Sequence, residues 1–318
     1  MTAAIDVFVR EVGMRDGLQS VQEFMPTADK IAWCTAEAAA GMPEIEVCSF
    51  VPAKLIPQFG DAVEIVAHAL RIPGLTVAAL MPNLKGAERG IEARVHKLNY
   101  VVSVSEAHNR ANVRRSRAES IDDFGRIAAL VRGLPSARRP KLAVGLATAF
   151  GCTIEGPIAE AEVVRCAVAL AEAGAEELAV SDTVGYADPA SVRRIVKAVM
   201  AAARPVTVTA HFHDTRGLGL ANVLAALDVG MRHFDASLAG LGGCPWAPGA
   251  TGNIVMDDLV FMLEAMGMRT GVDVERLVAV REIVARALPH VKLHGGIAKA
   301  GVPKGFHPGS APPHRLSA

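Results

Sequence analysis

The chain has 318 residues, enough for one large α/β domain with a sizeable core. Hydrophobic residues make up 51% of it and aromatic residues only 4%, which indicates a core of Ala, Val, Leu and Ile, as in helix-covered parallel sheets. With 33 basic and 33 acidic residues the formal net charge is zero, so composition excludes the basic footprint of a nucleic-acid-binding protein.

Short apolar or β-branched runs alternate along the chain with longer amphipathic patterns of helical period. This alternation predicts eight strand–helix units. The predicted strands occupy residues 6–11, 44–48, 75–81, 99–104, 141–148, 177–181, 206–213 and 233–237. The helices that follow them are predicted at 27–40, 61–70, 85–94, 121–132, 159–173, 189–202, 219–229 and 256–266.

Eight alternating units predict a parallel sheet closed into a (β/α)8 TIM barrel. The alternative is a doubly wound open sheet. Against it, no GxGxxG motif follows the first strand, and polar residues recur where strands end, which is where barrel active sites form. We therefore predict that residues 1–290 form a TIM-barrel catalytic domain.

The chain continues beyond the eighth unit. A helix is predicted at 274–287 and a weaker helical tail after it, and we expect these extra helices over one end of the barrel. Residues 291–318 are predicted to form a C-terminal extension that is partly disordered. The short basic cluster at 109–117 is interpreted as a solvated loop, with an anion site for a phosphate-bearing substrate as the alternative.

Five scattered cysteines without a CxxC pair indicate neither a disulfide framework nor a structural zinc site, and they fit a reducing compartment. The N-terminus shows no signal-peptide pattern, and no apolar run reaches the roughly 18 residues of a membrane span. We therefore expect a cytoplasmic protein with neither membrane nor nucleic acid among its partners.

Titratable and polar side chains stand where several predicted strands end. In a barrel these ends meet at one mouth, so residues distant in sequence are expected to face one another there. The first strand contributes Arg15, Asp16 and Gln19, the second Glu46 and Ser49, the sixth Asp182 and Thr183, and the seventh His211 and His213. The loop after the eighth strand contributes Asn253.

The strongest feature among them is the pair His211 and His213 at the end of a β-branched run. Side chains two apart on a strand share a face, so both imidazoles can bind one metal ion. Two satisfied core histidines would explain the pair alone, but Asp16 and the amide oxygen of Asn253 complete a ligand set suited to Mg²⁺ or Mn²⁺. Zinc is less favoured, since Cys244 can instead remain a free acid–base group.

Cys244 lies in a loop rich in glycine, a composition that permits close backbone approach and reactive chemistry. The other cysteines differ in context. Cys34 and Cys166 fall in amphipathic helical patterns and are predicted to be core residues, and packing is also the favoured role of Cys48 and Cys152 near strand ends.

The run SLAGLGGCPWA at residues 237–247 closely resembles the active-site cysteine signature of hydroxymethylglutaryl-CoA lyases, part of a larger group of metal-dependent barrel lyases and Claisen condensing enzymes. Other segments resemble this family in the same order and spacing, so the resemblance covers most of the chain. They are EVGMRDGLQ, IEVCSFVPAKLIPQ, PNLKG, SDTVGYADP, HFHDTRGLGLAN, GATGN and MDDLVFMLEAMGMRTGV.

The resemblance implies divalent-metal-dependent retro-Claisen cleavage of a 3-hydroxyacyl-CoA to acetyl-CoA and a keto acid. Arg15 would stabilise the developing enolate oxygen, and Cys244 would be the acid–base thiol. Glu46 would shape the site, and Asp182 would position or deprotonate the substrate hydroxyl, a role that Asp16 could share. The metal ligands implied are Asp16, His211, His213 and Asn253, and the state implied is a homodimer.

Several positions depart from the family pattern, including Ser181, Arg216 and Trp246. They surround the site and leave the ligands and the cysteine intact, so they bear on acyl-group specificity. Alternatives are a lyase for a related thioester such as citramalyl-CoA or a longer-branched homologue, a condensing synthase, and a non-catalytic acyl-CoA-binding barrel. Beyond the catalytic set, residues predicted to bind substrate are Gln19, Ser49, Thr183 and Arg216.

Overall fold

The strands form one closed parallel barrel in sequence order, in a computed structural model that describes residues 5–242 and 252–309. The TIM-barrel prediction is confirmed, and the open doubly wound alternative is wrong. The strands are β1 Phe8–Glu11, β2 Glu44–Ser49, β3 Thr76–Leu80, β4 Lys97–Ser103, β5 Lys141–Ala147, β6 Glu177–Asp182, β7 Thr207–Phe212 and β8 His233–Ala236. β1 pairs with β8 from Phe8 opposite His233 to Glu11 opposite Ala236, which closes the barrel.

Helices cover the outside of the barrel, and each predicted helix is present within a few residues of its expected bounds. They are α1 Thr27–Ala39, α2 Ala62–Ala69, α3 Leu84–Glu92, α4 Glu106–Val113, α5 Arg117–Arg132, α6 Glu160–Ala173, α7 Pro189–Ala202, α8 Gly219–Asp228, α9 Met256–Ala265, α10 Val274–Ala287 and α11 Ile297–Ala300. Within the described residues, no helix has the length and apolar character needed to cross a bilayer.

Local chemistry explains several helix starts. Asp188 accepts from the backbone N–H of Ala190 and Ser191, Ser191 bonds back to Asp188, and Pro189 occupies the first helical position of α7. Asn83 caps α3 by accepting from the N–H of Gly86. Such caps satisfy amide groups that the first turn leaves without partners, so these polar residues set where the helices begin.

The interpretation of residues 109–117 as a solvated loop is wrong. Most of the segment belongs to α4 and the start of α5, because Ser105 and Ser116 supply N-caps that the sequence interpretation overlooked. Its arginines pair with nearby carboxylates, such as Arg115 with Asp123 at 2.5 Å and Arg117 with Glu162 at 3.0 Å. Arg117 thus links α5 to α6, and Arg115 links the connection between α4 and α5 to α5.

Alternate residues of each strand face the helices and form the apolar core. On β5, for example, Val144 and Leu146 are fully buried. Burying a branched aliphatic side chain contributes roughly 1.5–3 kcal/mol, so this shell dominates the stabilisation of the fold. Cys34 and Cys166 lie in the same core, as predicted, and Cys48 and Cys152 are also buried.

The inward faces hold a buried ionic layer instead of the branched aliphatic residues usual in such barrels. Arg10 donates to both oxygens of Asp235, at 2.8 and 2.7 Å, and to Glu44 and Glu177, at 3.1 and 3.0 Å. Lys97 contacts the same two glutamates at 2.8 and 2.6 Å. We call Arg10, Glu44, Lys97, Glu177 and Asp235 the ionic layer, and sequence analysis did not predict it.

Helices beyond the eighth unit are present, as predicted. α10 packs against α1 and α9, and Arg281 of α10 contacts Asp257 of α9 at 2.7 Å. Residues 291–296 then return toward the barrel, where the N–H of His294 donates to the carbonyl of Ala239. Residues 310–318 of the predicted C-terminal extension lie outside the described residues.

Candidate active site

Asp16 and the two histidines of β7 converge at the carboxyl-terminal mouth of the barrel. A π-helical turn, Gly13–Gly17, follows β1 and carries Asp16, while His211 lies in β7 and His213 follows it. One potential ligand atom from each residue lies within 4.8 Å of the others. The Nε2 atoms of His211 and His213 are 3.9 and 3.7 Å from Asp16 Oδ2. The spacing fits a single metal ion.

Asn253 joins this group from the segment after β8, as predicted, through an isolated antiparallel bridge with His213. Its amide nitrogen donates to Asp16 Oδ2 at 2.7 Å and to the carbonyl of Leu241 at 3.1 Å. Its buried Oδ1 has no hydrogen-bond partner in the described part of the chain. An unsatisfied buried oxygen beside a carboxylate and two imidazoles is a donor set that fits a divalent cation.

The ring of His211 contacts Asp235 of the ionic layer. Its Nδ1 lies 3.4 Å from Oδ2 of Asp235, and Arg10 holds that carboxylate through both of its oxygens. A carboxylate behind a ligating histidine fixes the ring and its tautomer. The ionic layer therefore supports the metal site through Asp235, a residue that sequence analysis did not select.

Arg15 lies beside Asp16 and is held by two carboxylates. Its Nη1 donates to Asp16 Oδ1 at 2.7 Å, and its Nε donates to Glu46 Oε2 at 2.5 Å. Glu46 in turn accepts from the amide of Asn99 at 2.7 Å. Sequence analysis missed Asn99, although it is the only amide side chain of β4. Glu46 thus positions the guanidinium at the mouth.

The two aspartates of the site have opposite electrostatics. Burial alone would raise the pKa of Asp16, but Arg15, His213 and His211 hold that pKa well below its ordinary value. Burial raises the pKa of Asp182, only partly offset by backbone N–H donors such as that of Tyr186. Asp182 Oδ2 is buried and, among the residues described, has no hydrogen-bond partner. Asp182 is therefore the better candidate to accept a proton.

The residues predicted to bind substrate are mostly engaged with their own chain. The Ser49 hydroxyl accepts from the N–H of Val51, and the Thr183 hydroxyl accepts from the N–H of Thr148. Arg216 donates to backbone carbonyls of the connection after β6. Gln19 is half-buried just beyond the turn that carries Asp16.

Cys244 and Trp246 lie outside the described residues. The flanking glycines, Gly242 and Gly252, are among the described residues. Gly242 has a φ of +100°, and a Cβ there would lie 2.9 Å from Asn253 Nδ2 and 3.0 Å from the carbonyl oxygen of Asp16. A Cβ on Gly252 would lie 2.2 Å from the carbonyl oxygen of Gly240. Gly242 thus lies against Asp16 and Asn253, and Gly252 lies against Gly240 and Gly242, at positions where only glycine fits.

Behind the turn that carries Asp16 lies a set of buried acids that sequence analysis also missed. Glu11 accepts from the backbone N–H groups of Gly13 and Leu238 and so ties that turn to the segment after β8. Burial raises the pKa of Glu11 to about 7. Burial and the neighbouring Glu11 raise the pKa of Glu37 well above its ordinary value.

We call the polar groups at the carboxyl-terminal mouth the mouth cluster: Arg15, Asp16, Glu46, Asp182, His211, His213 and Asn253. A cleft of about 270 Å³ opens next to it, lined by Asp214, Thr215, Gly217, Asn253, Val255 and His294. The arrangement brings a set of potential metal ligands, an ion-paired arginine and a carboxylate with one unpaired oxygen to one barrel mouth.

Comparison with known proteins agrees with this geometry. The family described as HMGL-like matches residues 6–284. The chain is 39% identical over 289 residues to hydroxymethylglutaryl-CoA lyase YngG of Bacillus subtilis, covering 89% of this chain and 95% of that protein. It is 38% identical over 270 residues to the 3-hydroxy-3-isohexenylglutaryl-CoA/hydroxymethylglutaryl-CoA lyase of Pseudomonas aeruginosa, covering 84% and 88%.

Among solved structures, an HMG-CoA lyase from Acinetobacter baumannii in complex with coenzyme A and 3-methylmalate superposes with a TM-score of 0.89. That protein is 41% identical, and the match covers 97% of this chain and 99% of the other. Sequence similarity and backbone similarity thus point to the same group of proteins.

Proposed function

This chain belongs to the HMGL-like family, and from that premise we propose that it cleaves 3-hydroxy-3-methylglutaryl-CoA to acetyl-CoA and acetoacetate. It is a carbon–carbon lyase, as the family match and its lyase relatives show. The observation that carries the proposal is the convergence of Asp16, His211 and His213 with Arg15 at the same mouth. Retro-Claisen cleavage needs a site that gathers negative charge on substrate oxygens, and this arrangement offers one.

The metal site is assigned to Asp16, His211 and His213 together with the amide oxygen of Asn253. We propose Mg²⁺ or Mn²⁺ as the ion, since carboxylate and amide oxygens with imidazole suit these hard cations. When bound, such a cation acidifies a coordinated alcohol and polarises a carbonyl.

Asp182 is proposed as the base that takes the proton of the substrate hydroxyl. Its raised pKa and its unpaired Oδ2 suit it to proton transfer. Asp16 is the alternative, but its two oxygens accept from Arg15 and Asn253, and its low pKa makes it a weak base. When the proton leaves, the carbon–carbon bond breaks and its electron pair becomes the thioester enolate.

Arg15 is proposed to stabilise that enolate, with Glu46 fixing its orientation. Two carboxylates hold the guanidinium before substrate arrives, so little reorganisation accompanies the reaction. Cys244 is proposed to protonate the enolate carbon, which completes acetyl-CoA. Cys34 and Cys166 are poor alternatives, because burial raises the pKa of Cys34 to about 12 and that of Cys166 to about 11.

A lyase for longer-branched 3-hydroxyglutaryl thioesters is the second candidate. The Pseudomonas aeruginosa relative is named for an isohexenyl substrate as well as the methyl one. Beyond the ionic layer, the inner faces of β4 to β6 carry small or short side chains such as Ala179 and Ser181, and Val101 and Gly145 stay partly exposed. A Cβ at Gly145 would meet nothing closer than 3.7 Å, so there is room above this residue.

Steady-state turnover of a panel of thioesters tests the proposal. The panel should contain the methyl and isohexenyl substrates and citramalyl-CoA, each assayed with and without chelator. We expect cleavage of the methyl substrate that chelation abolishes and that Mg²⁺ or Mn²⁺ restores. No cleavage of the methyl substrate by metal-loaded protein would refute the first candidate, and preference for the isohexenyl substrate would establish the second.

We further propose that residues 1–290 form the catalytic domain of a cytoplasmic homodimer. The four described cysteines are free thiols, in accord with a reducing compartment. Light scattering on the purified chain would test the dimer, because a monomeric mass at micromolar concentration contradicts it. Fractionation of the source cells would test the location.

A further inference from the structure

The connection between β6 and α7, residues 183–188, determines how Asp182 is presented. Oδ1 of Asp182 accepts from the backbone N–H of Tyr186 at 2.7 Å. The other oxygen, Oδ2, is left without a partner in the described ranges and is buried. The Tyr186 amide therefore fixes Oδ1 of Asp182 and leaves Oδ2 as the unpaired oxygen.

Arg216, from the connection between β7 and α8, holds this segment. Its Nη1 donates to the carbonyls of Val184 and Gly185 at 3.0 and 2.9 Å. Its guanidinium carbon lies 4.6 Å from the centroid of the Tyr186 ring. One side chain thus contacts three successive residues, including the one whose amide binds Asp182.

The two connections also interlock by shape. Gly185 has a φ of +67°, and a Cβ there would lie 2.6 Å from Cβ of Thr215. On the other side, a Cβ on Gly151 would lie 2.7 Å from Cδ2 of Tyr186. Because a side chain at either glycine would clash, the segment around Tyr186 is closely packed against Gly151 and Thr215, and Arg216 lies on its exposed side.

We propose that Arg216 is a positioning residue that holds the β6–α7 connection so that Asp182 faces the metal site, and that it does not bind substrate. The inference rests on the proposed function in that Asp182 acts on substrate. His213 and Arg216 are three residues apart, so one short segment carries both a proposed metal ligand and the arginine that orients the proposed base, Asp182. An error of about 1 Å in such a placement costs on the order of 100-fold in rate.

The first test compares Arg216→Met with the control Arg193→Met. Arg193 is an exposed arginine of α7 that pairs with Asp228 of α8. We expect Arg216→Met to lower kcat by about 10- to 100-fold while KM changes by less than about threefold. Metal content should be unchanged, and Arg193→Met should resemble the unaltered protein. A rise in KM with kcat retained would instead make Arg216 a substrate-binding residue and overturn the proposal.

A double-mutant cycle with Asp182→Asn separates positioning from general damage. If Arg216 acts through Asp182, Arg216→Met should add little to the loss that Asp182→Asn already causes. Gly185→Ala should reproduce the loss of kcat with Arg216 in place, which covers the case that Arg216→Met folds poorly. Fully additive losses in the cycle would contradict the proposal.

Amide hydrogen exchange supplies a readout that does not depend on catalysis. In Arg216→Met the Tyr186 amide should exchange faster than in the unaltered protein, whereas Arg193→Met should leave it unchanged. If no thioester is cleaved by any variant, the proposed function fails while this measurement still tests the contact. Unchanged exchange at Tyr186 would show that Arg216 does not hold the segment.

Discussion

The ionic layer and the mouth cluster occupy the same barrel interior and use the same kinds of side chain, yet they differ in how completely their polar atoms are paired. In the ionic layer every carboxylate accepts from Arg10 or Lys97. In the mouth cluster the described residues leave buried atoms without partners, namely Asp182 Oδ2, His213 Nδ1 and Asn253 Oδ1. The paired layer suits a structural role, whereas unpaired buried polar atoms gathered at the mouth leave hydrogen-bonding or ligating capacity for a bound group.

Asp235 connects the two regions. It receives Arg10 on one side and faces Nδ1 of His211 on the other. Although burial would raise the pKa of Asp235, Arg10 and His211 hold that pKa below its ordinary value. The structural layer thus supplies the outer partner of His211, a proposed metal ligand, and mutations should separate the roles of the two regions.

The largest expected effect is loss of the metal site. His213→Ala should remove metal and lower kcat/KM by on the order of 1000-fold or more, because several kcal/mol of charge stabilisation depend on the ion. Metal analysis and turnover measure this, with His68→Ala, a half-buried histidine of α2 that contacts Thr35, as control. Full metal occupancy in the variant would remove His213 from the ligand set.

The second prediction contrasts one arginine from each region. Arg10→Met should lower the free energy of unfolding by about 3–5 kcal/mol, because it leaves buried carboxylates without their cation. Arg15→Met should lower kcat by about 100- to 1000-fold with a smaller change in stability. Urea unfolding and steady-state kinetics on both variants test the contrast. Equal effects on both quantities would show that the two regions do not differ in role.

An intermediate effect is expected at the connection between the regions. Asp235→Asn keeps the shape of the side chain but removes the charge behind His211, so metal affinity should fall by about 10- to 100-fold. Stability should fall less than in Arg10→Met. Metal titration of chelated protein measures the affinity, and Thr209→Val, which alters a hydroxyl beside the ionic layer, serves as control. Unchanged affinity would show that Asp235 does not orient His211.

The smallest expected effect concerns pH and the buried acids behind the site. The pKa values of Glu11 and Glu37 are raised in the folded state, so their contribution to stability is complete below about pH 4.5 and falls as pH rises through the folded values, about 7 for Glu11. Glu37→Gln removes one ionisation. Between pH 5 and pH 8, the variant should therefore lose less free energy of unfolding than the unaltered protein, by on the order of 1 kcal/mol.

Thermal unfolding between pH 4.5 and 8 measures this difference. Glu64→Gln, on the exposed face of α2, provides the matched control and should follow the unaltered protein. An identical pH dependence for Glu37→Gln and the unaltered protein would show that Glu37 carries no pKa shift of consequence.

Much of the fold was predictable because the signals are local. The alternation of strand-like hydrophobic patterns, of period 2, with helical patterns, of period 3.6, identified all eight strand–helix units. Among them is β7, which contains His211 and is followed by His213. Where the prediction failed, at residues 109–117, clustered arginines were taken for a loop although Ser105 and Ser116 were available as helix caps. Counting charges was a weaker guide there than capping chemistry.

The candidate site was only partly predictable. His211 and His213 are two residues apart and share a strand face, so their pairing is visible in sequence. Asn99 and Asp235 were missed because each contacts the site through a partner far away in the chain, as in the bond from Asn99 to Glu46. The roles of Arg15 and Cys244 came from resemblance to a family, and Cys244 remains a prediction.

By itself the sequence determined the barrel and the residues that stand at its strand ends, because periodicity and turn composition are properties of neighbouring residues. Only the tertiary structure decided which polar atoms are paired and which are left open. It separated the ionic layer from the mouth cluster, and it placed Arg216 against the carbonyls beside Tyr186. Such contacts depend on closure of the barrel, which brings together side chains that no local pattern relates.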